Sequence, residues 1–132
     1  MDDRLRALVV EDDPATRRML VQFLQDEGFE SFGAHDGAHA VRTASAGRPD
    51  VIVLDMGLPV LDASGFVERW RARDGASDVP LVGISGRPHG EALARALGAA
   101  AFFAKPIELD ALAASVRALA TARRRRTVEK AT

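Results

Sequence analysis

Asp55 ends an unbroken apolar run, Val51-Ile52-Val53-Leu54, and is followed by Met56-Gly57-Leu58-Pro59, which cannot continue a strand. A short apolar run bounded by Pro49 and by Gly57 and Pro59 reads as a strand buried on both faces. In open α/β sheets chemistry gathers at the carboxyl ends of such strands, where Asp55 stands. Other apolar runs end in the same way. Leu8-Val9-Val10 delivers Glu11 and Asp12, Pro80 to Ile84 delivers Ser85, and Ala101 to Ala104 delivers Lys105. Singly, these are ordinary turn and surface residues. On one edge they become three carboxylates, a hydroxyl and an ammonium.

That set suits one chemistry. Oxygen ligands without His or Cys favour a hard cation, Mg²⁺, which keeps several waters in an octahedral shell. Asp55, at the centre, is best placed to remain a nucleophile. A phosphoryl group arriving there would meet the cation, the Lys105 ammonium and the Ser85 hydroxyl. Phosphoryl transfer needs little beyond such positioning and charge.

The elements that must hold these residues alternate strictly. Arg6 to Val10 is a strand, and Asp13-Pro14 caps a helix that runs to about Glu27, with Gly28 beyond its end. Ala15, Met19, Leu20, Phe23 and Leu24 mark its apolar stripe. Glu30 to Ala34 is a weaker strand, and Asp36 to Ser45 a short helix closed by Gly47. After the Pro59 loop, Phe66, Val67 and Trp70 give helical spacing to about Arg73, with Trp70 read as packing. Asp74 to Asp78 reads as loop. A short helix over His89 to Ala96 stops at Gly98, and Leu109, Leu112, Val116 and Leu119 mark a last amphipathic helix. Strand and helix in alternation predict a doubly wound, five-stranded parallel sheet with helices on both faces and right-handed crossovers.

Composition agrees. The 132 residues are 47% hydrophobic and 28% charged, which suits one domain with a substantial core. There is no cysteine, so no disulfide framework or Cys-based metal site. Met1-Asp2-Asp3 lacks the basic and apolar regions of a signal peptide, and no apolar run approaches membrane-spanning length. A cytoplasmic protein with no membrane partner is the expectation. The net charge of -1 conceals an asymmetry. Five of the 18 basic and one of the 19 acidic residues lie in 123–132, which leaves 13 against 18, or -5, before them. The domain is read as residues 1–122, and 123–132 as a basic tail or linker without fixed structure.

The chain resembles the receiver domain of bacterial two-component response regulators from residue 5 to about 121. Leu8-Val9-Val10-Glu11-Asp12-Asp13, Val53 through Pro59, Ile84-Ser85, and Gly98 through Lys105-Pro106 carry the resemblance, in that order. It implies a flavodoxin-like fold with strand order 2-1-3-4-5. It implies that Asp55 accepts phosphate from a phosphohistidine on a partner histidine kinase or phosphotransfer protein. Glu11 and Asp12 match the metal-binding acidic pair, and the Gly57 carbonyl matches a third protein ligand for Mg²⁺. Ser85 matches the switch hydroxyl, Phe102 the aromatic switch and Lys105 the invariant lysine. The Lys105–Pro106 bond is expected to be cis. The protein would signal to a downstream protein through the last two helices and the strand between them, a surface also open to a homodimer.

The sequence departs from that pattern in places. Asp62-Ala63-Ser64-Gly65 stands where Asp-Gly is usual and reads like a two-residue insertion in the loop. Gly86 follows the switch hydroxyl and lends that loop backbone freedom. Gly83 gives up side-chain packing inside a strand. No output domain follows the last helix, which fits a single-domain regulator or an excised receiver. His35, His39 and His89 lack metal-ligand spacing, and Arg17 and Arg18 read as a solvated helix face. Arg123 to Arg126, on an acidic body and without interleaved aromatics, are not expected to bind specific nucleic acid sequences.

Two other classes compete with the phosphorylation-controlled switch. A pseudo-receiver would keep the fold as an interaction module without phosphorylation, against which the intact set of Glu11, Asp12, Asp55, Ser85 and Lys105 argues. A phosphohydrolase of the haloacid dehalogenase kind would carry an acid two residues after the nucleophile, where this chain has Gly57.

Overall fold

A computed structural model of the chain describes residues 3–73, 76 and 78–131. Most of the expected 74–78 loop, and Met1 and Asp2 at the N-terminus, lie outside the described residues. Ten elements alternate: β1 (Arg6–Val10), α1 (Pro14–Asp26), β2 (Glu30–Ala34), α2 (Gly37–Gly47), β3 (Val51–Asp55), α3 (Val60–Arg71), β4 (Leu81–Ser85), α4 (Gly90–Ala96), β5 (Ala101–Ala104) and α5 (Leu109–Ala131). The strands form one parallel sheet in the order β2-β1-β3-β4-β5. This is the flavodoxin-like arrangement.

Every residue of β3 and β4 is buried, as unbroken apolar runs require. The sheet separates two apolar layers. On one side α1 and α5 contribute Leu20, Leu24, Leu112, Val116 and Ala120. On the other α2, α3 and α4 contribute Ala40, Ala44, Phe66, Trp70 and Ala94. Each fully buried Leu or Phe removes enough apolar surface from water to contribute about 1.5–3 kcal/mol.

The helix starts follow local chemistry. Asp13 accepts the Thr16 N–H at 2.9 Å, with Pro14 in the first turn, and Asp36 accepts the His39 N–H at 2.7 Å. Gly28 and Gly98 take the left-handed turns after α1 and α4, with φ of 97° and 83°. After α2 that turn falls on Arg48, with φ of 50°, and not on Gly47. Gly47 lies against the Phe32 ring, where a Cβ would approach to 2.4 Å.

Several expectations need correction. The stripe on α1 is rotated: Ala15 and Met19 face outward, Met19 being 45% exposed, while Val21 packs inward beside Leu20 and Leu24. Residues 62–65 do not lie in a loop. Pro59 is the N-cap of α3, so they form its first turns, with Ala63 buried. Gly83 does not leave a packing gap. Its missing side chain admits α4, since a Cβ there would stand 2.7 Å from the Ala94 Cβ. The helix expected to end near 122 continues to Ala131. At the start of that extension, Asp50 gives Arg123 and Arg124 a buried partner. Arg123 Nη1 meets Asp50 Oδ1 at 3.0 Å and Arg124 Nε meets it at 3.0 Å. No helix among the described residues is long and apolar enough to cross a membrane.

Candidate functional site

Strand register assembles the edge. Val10 pairs with Leu54, Asp55 with Ile84, and Ser85 with Ala104. The residues just beyond each strand therefore emerge side by side. The Glu11 N–H donates to the Ala34 carbonyl at 3.0 Å, Met56 N–H to Ile84 O at 2.7 Å, and Lys105 N–H to Ser85 O at 2.8 Å. These bonds carry the ladder past the strand ends and fix the backbone from which the side chains project.

Glu11, Asp12 and Asp55 each place a carboxylate oxygen within 4.8 Å of the others. Glu11 and Asp55 are buried, and Asp12 is exposed. Lys105 Nζ meets Glu11 Oε1 at 2.7 Å and Asp55 Oδ2 at 3.5 Å. The Gly57 N–H donates to Asp55 Oδ1 at 2.8 Å, which orients the carboxylate. Burial, reinforced by the adjacent Asp55 and opposed by Lys105, pushes the Glu11 carboxyl up to about 8. Burial draws the Lys105 ammonium down, but its bond to Glu11 and the charge of Asp55 outweigh this and leave it above its ordinary value. Carboxylates crowded around a single ammonium are short of positive charge. A hard divalent cation on oxygen ligands fits that deficit.

Ser85 is 1% exposed, and its Oγ accepts the Arg87 N–H at 2.9 Å. Phe102 is half-buried, its ring beside the Cα positions of Gly83 and Gly90. The Lys105–Pro106 bond is cis. A cavity of about 720 Å³ opens beside the carboxylates, with Asp12, Gly57, Arg87 and His89 on its walls.

Two contributors were not legible beforehand. Arg17 is not a solvated residue: its Nη1 donates to the Glu11 carbonyl at 2.8 Å, and its stem packs where a Gly33 Cβ would approach to 3.0 Å. It holds the acidic turn in place, while Arg18 is exposed. Gly90 lies against the Ser85 hydroxyl, since a Cβ there would come within 2.4 Å of Ser85 Oγ. An Arg on an otherwise polar face and a Gly opening a short helix gave no signal of either contact. Of the histidines, His35 and His89 are exposed, and His39 is half-buried with its ring centroid 4.4 Å from that of His35.

Residues 7–117 match the model of the response regulator receiver domain. The chain belongs to this family. The transcriptional regulatory protein PrrA of Mycobacterium tuberculosis is 42% identical over 116 residues, covering 86% of this chain and 49% of PrrA. The response regulator MprA of Mycobacterium avium is 35% identical over 117 residues, covering 87% of this chain and 50% of MprA. This receiver domain thus spans about half the length of the curated relatives it matches. Among solved structures, the chemotaxis protein CheY4 of Vibrio cholerae superimposes with a TM-score of 0.78 at 28% identity, covering 88% of this chain and 98% of CheY4. A putative response regulator from Chloroflexus aurantiacus gives 0.80 at 25% identity, covering 90% of this chain and 99% of that one.

Proposed function

We propose that this receiver is a phosphorylation-controlled switch with Asp55 as its phosphoryl acceptor. The observation that carries the reading is Lys105 bridging Glu11 and Asp55 inside a cluster of carboxylates. The donor would be a phosphohistidine on a histidine kinase or phosphotransfer protein. An Asp55 oxygen attacks phosphorus, the P–N bond to the imidazole breaks, and the leaving nitrogen keeps the electron pair and takes a proton.

Glu11, Asp12, Asp55 and the Gly57 carbonyl would hold Mg²⁺, which when bound supplies positive charge to the transferring phosphoryl oxygens. Lys105 offers a second cation to those oxygens. The Ser85 hydroxyl, which already accepts from Arg87, keeps its own proton to donate to a phosphoryl oxygen. Movement of Ser85 toward that oxygen opens space into which Phe102 turns, and the surface over α4, β5 and α5 changes with it. Output runs through protein contacts at that surface.

The test is incubation with acetyl phosphate, with and without Mg²⁺, followed by mass spectrometry. A labile phosphoryl adduct is expected only with Mg²⁺ and only when Asp55 is present. Asp55→Asn removes it. An adduct that survives in that variant would mean another nucleophile, and no adduct on the wild type would leave a binding module of the same fold.

A further inference from the structure

The end of the sheet opposite Asp55 carries a second concavity. It encloses about 750 Å³ between the C-terminal ends of α2 and α3, the start of β3 and the far part of α5. Arg48, Arg73 and Arg123 line it, together with Trp70, Pro49 and Val79. Among the described residues, no carboxylate lines it. On a body of acidic net charge this is a cationic hollow with an apolar floor.

The arginines are not equivalent. Arg123 is held from behind by Asp50 at 3.0 Å and by Asp78 at 3.6 Å, so its charge is largely offset. Arg48 and Arg73 are exposed and have no ion-pair partner among the described residues. The backbone of Arg48 takes the left-handed turn after α2, with φ of 50°. Both line the hollow, and a guanidinium group binds phosphate in bidentate fashion. The floor shows a further open account. The Trp70 Nε1 is buried and has no hydrogen-bond partner among the described residues, a state that costs about 1–3 kcal/mol for a typical donor. The volume lies within the range of small-molecule sites and far exceeds a bare phosphate.

We propose that this hollow is a ligand site for a phosphorylated small molecule with a ring-sized apolar body. Arg48 and Arg73 take the phosphate, and the apolar body lies toward Pro49, Val79 and Trp70. The site is separate from the phosphoryl acceptor. One wall, Arg123 and Thr127, comes from the part of α5 beyond residue 117, where the match to the family model ends. Occupancy would therefore tie that part of α5 to the base of the sheet.

Trp70 is the sole tryptophan, so its emission reports on the site directly. The full chain, kept free of Mg²⁺ with EDTA, is titrated with pyrophosphate, AMP and ATP, and the same titrations are followed by calorimetry. A saturable response is expected with AMP and ATP, stronger than with pyrophosphate. It weakens at least tenfold in Arg48→Gln/Arg73→Gln, which removes both charges at exposed positions and keeps polar side chains there. It is unchanged in Asp55→Asn, which separates this site from the phosphoryl acceptor. No saturable heat or emission change with any probe, equal affinity in the double variant, or loss in Asp55→Asn would overturn the proposal. Saturation by polyglutamate but not by AMP or ATP would also overturn it, and would make the hollow a docking point for an acidic protein segment.

Discussion

At the scale of single residues, the acidic turn is under electrostatic load. Glu11 and Asp55 are buried beside one ammonium, and Asp12 adds an exposed charge to the same cluster. Asp12→Ala is expected to abolish Mg²⁺ binding in calorimetric titration while raising the melting temperature of the metal-free protein. An unchanged Mg²⁺ isotherm would remove Asp12 from the ligand set. Arg87 borders the same cavity as Asp12 and Gly57. Its side chain is exposed and lines the open cavity that Gly57 also borders. A guanidinium there can cover the phosphoryl group and obstruct in-line water. Arg87→Ala is expected to speed loss of phosphate roughly tenfold, about 1.4 kcal/mol in the barrier. An equal or slower rate would show that Arg87 leaves the phosphoryl group uncovered.

At the scale of elements, α4 rests on β4 through two absent side chains. A Cβ on Gly83 would meet Ala94 at 2.7 Å, and one on Gly90 would meet the Ser85 Cβ at 2.3 Å. Neither neighbour is the far end of a flexible chain, so the helix itself must yield. Gly83→Ala is expected to cost about 1–3 kcal/mol in urea unfolding, as overpacking does. Wild-type stability in that variant would mean that α4 shifts freely. Neither contact was legible in the sequence, because a glycine does not announce what approaches it. The strands were legible, since an apolar run ending at Asp55 or Ser85 states both its burial and its end. The carboxylates and Lys105 were legible for the same reason: parallel strands carry their next residues to one edge. The rotation of α1 was not, because Leu20, Phe23 and Met19 are equally apolar and only packing puts Met19 in water. Arg17 escaped notice because its partner, the Glu11 carbonyl, is a backbone group with no sequence signature.

At the scale of the whole molecule, β3 is anchored at both ends. Asp55 closes it within the carboxylate cluster, and Asp50 precedes it at the opposite end of the sheet. Asp50 is 1% exposed and ties the start of β3 to two other segments: to β1 through the Arg6 N–H at 2.8 Å, and to the far part of α5 through Arg123 and Arg124, each at 3.0 Å. Burial alone would raise the Asp50 carboxyl. The bonds from Arg124, Arg6 and Arg123 outweigh it and hold the group below its ordinary value of 3.8. A carboxyl depressed on folding stabilises the folded state above the unfolded-state pKa. That stabilisation is lost as pH falls through the folded value. Asp50→Asn keeps the shape but removes the charge, leaving two partly buried guanidinium groups without their counterion. The expected cost is about 3 kcal/mol at pH 7, in the range for breaking a buried pair. The difference between variant and wild type is expected to stay constant from pH 7 down to about 5. It then shrinks below 3.8, as the wild-type carboxyl takes up its proton. Melting both proteins in parallel across that range isolates Asp50 from every other titrating group. A difference that is small at pH 7, or that does not narrow in acid, would mean that the arginines of α5 do not hold the helix to the sheet.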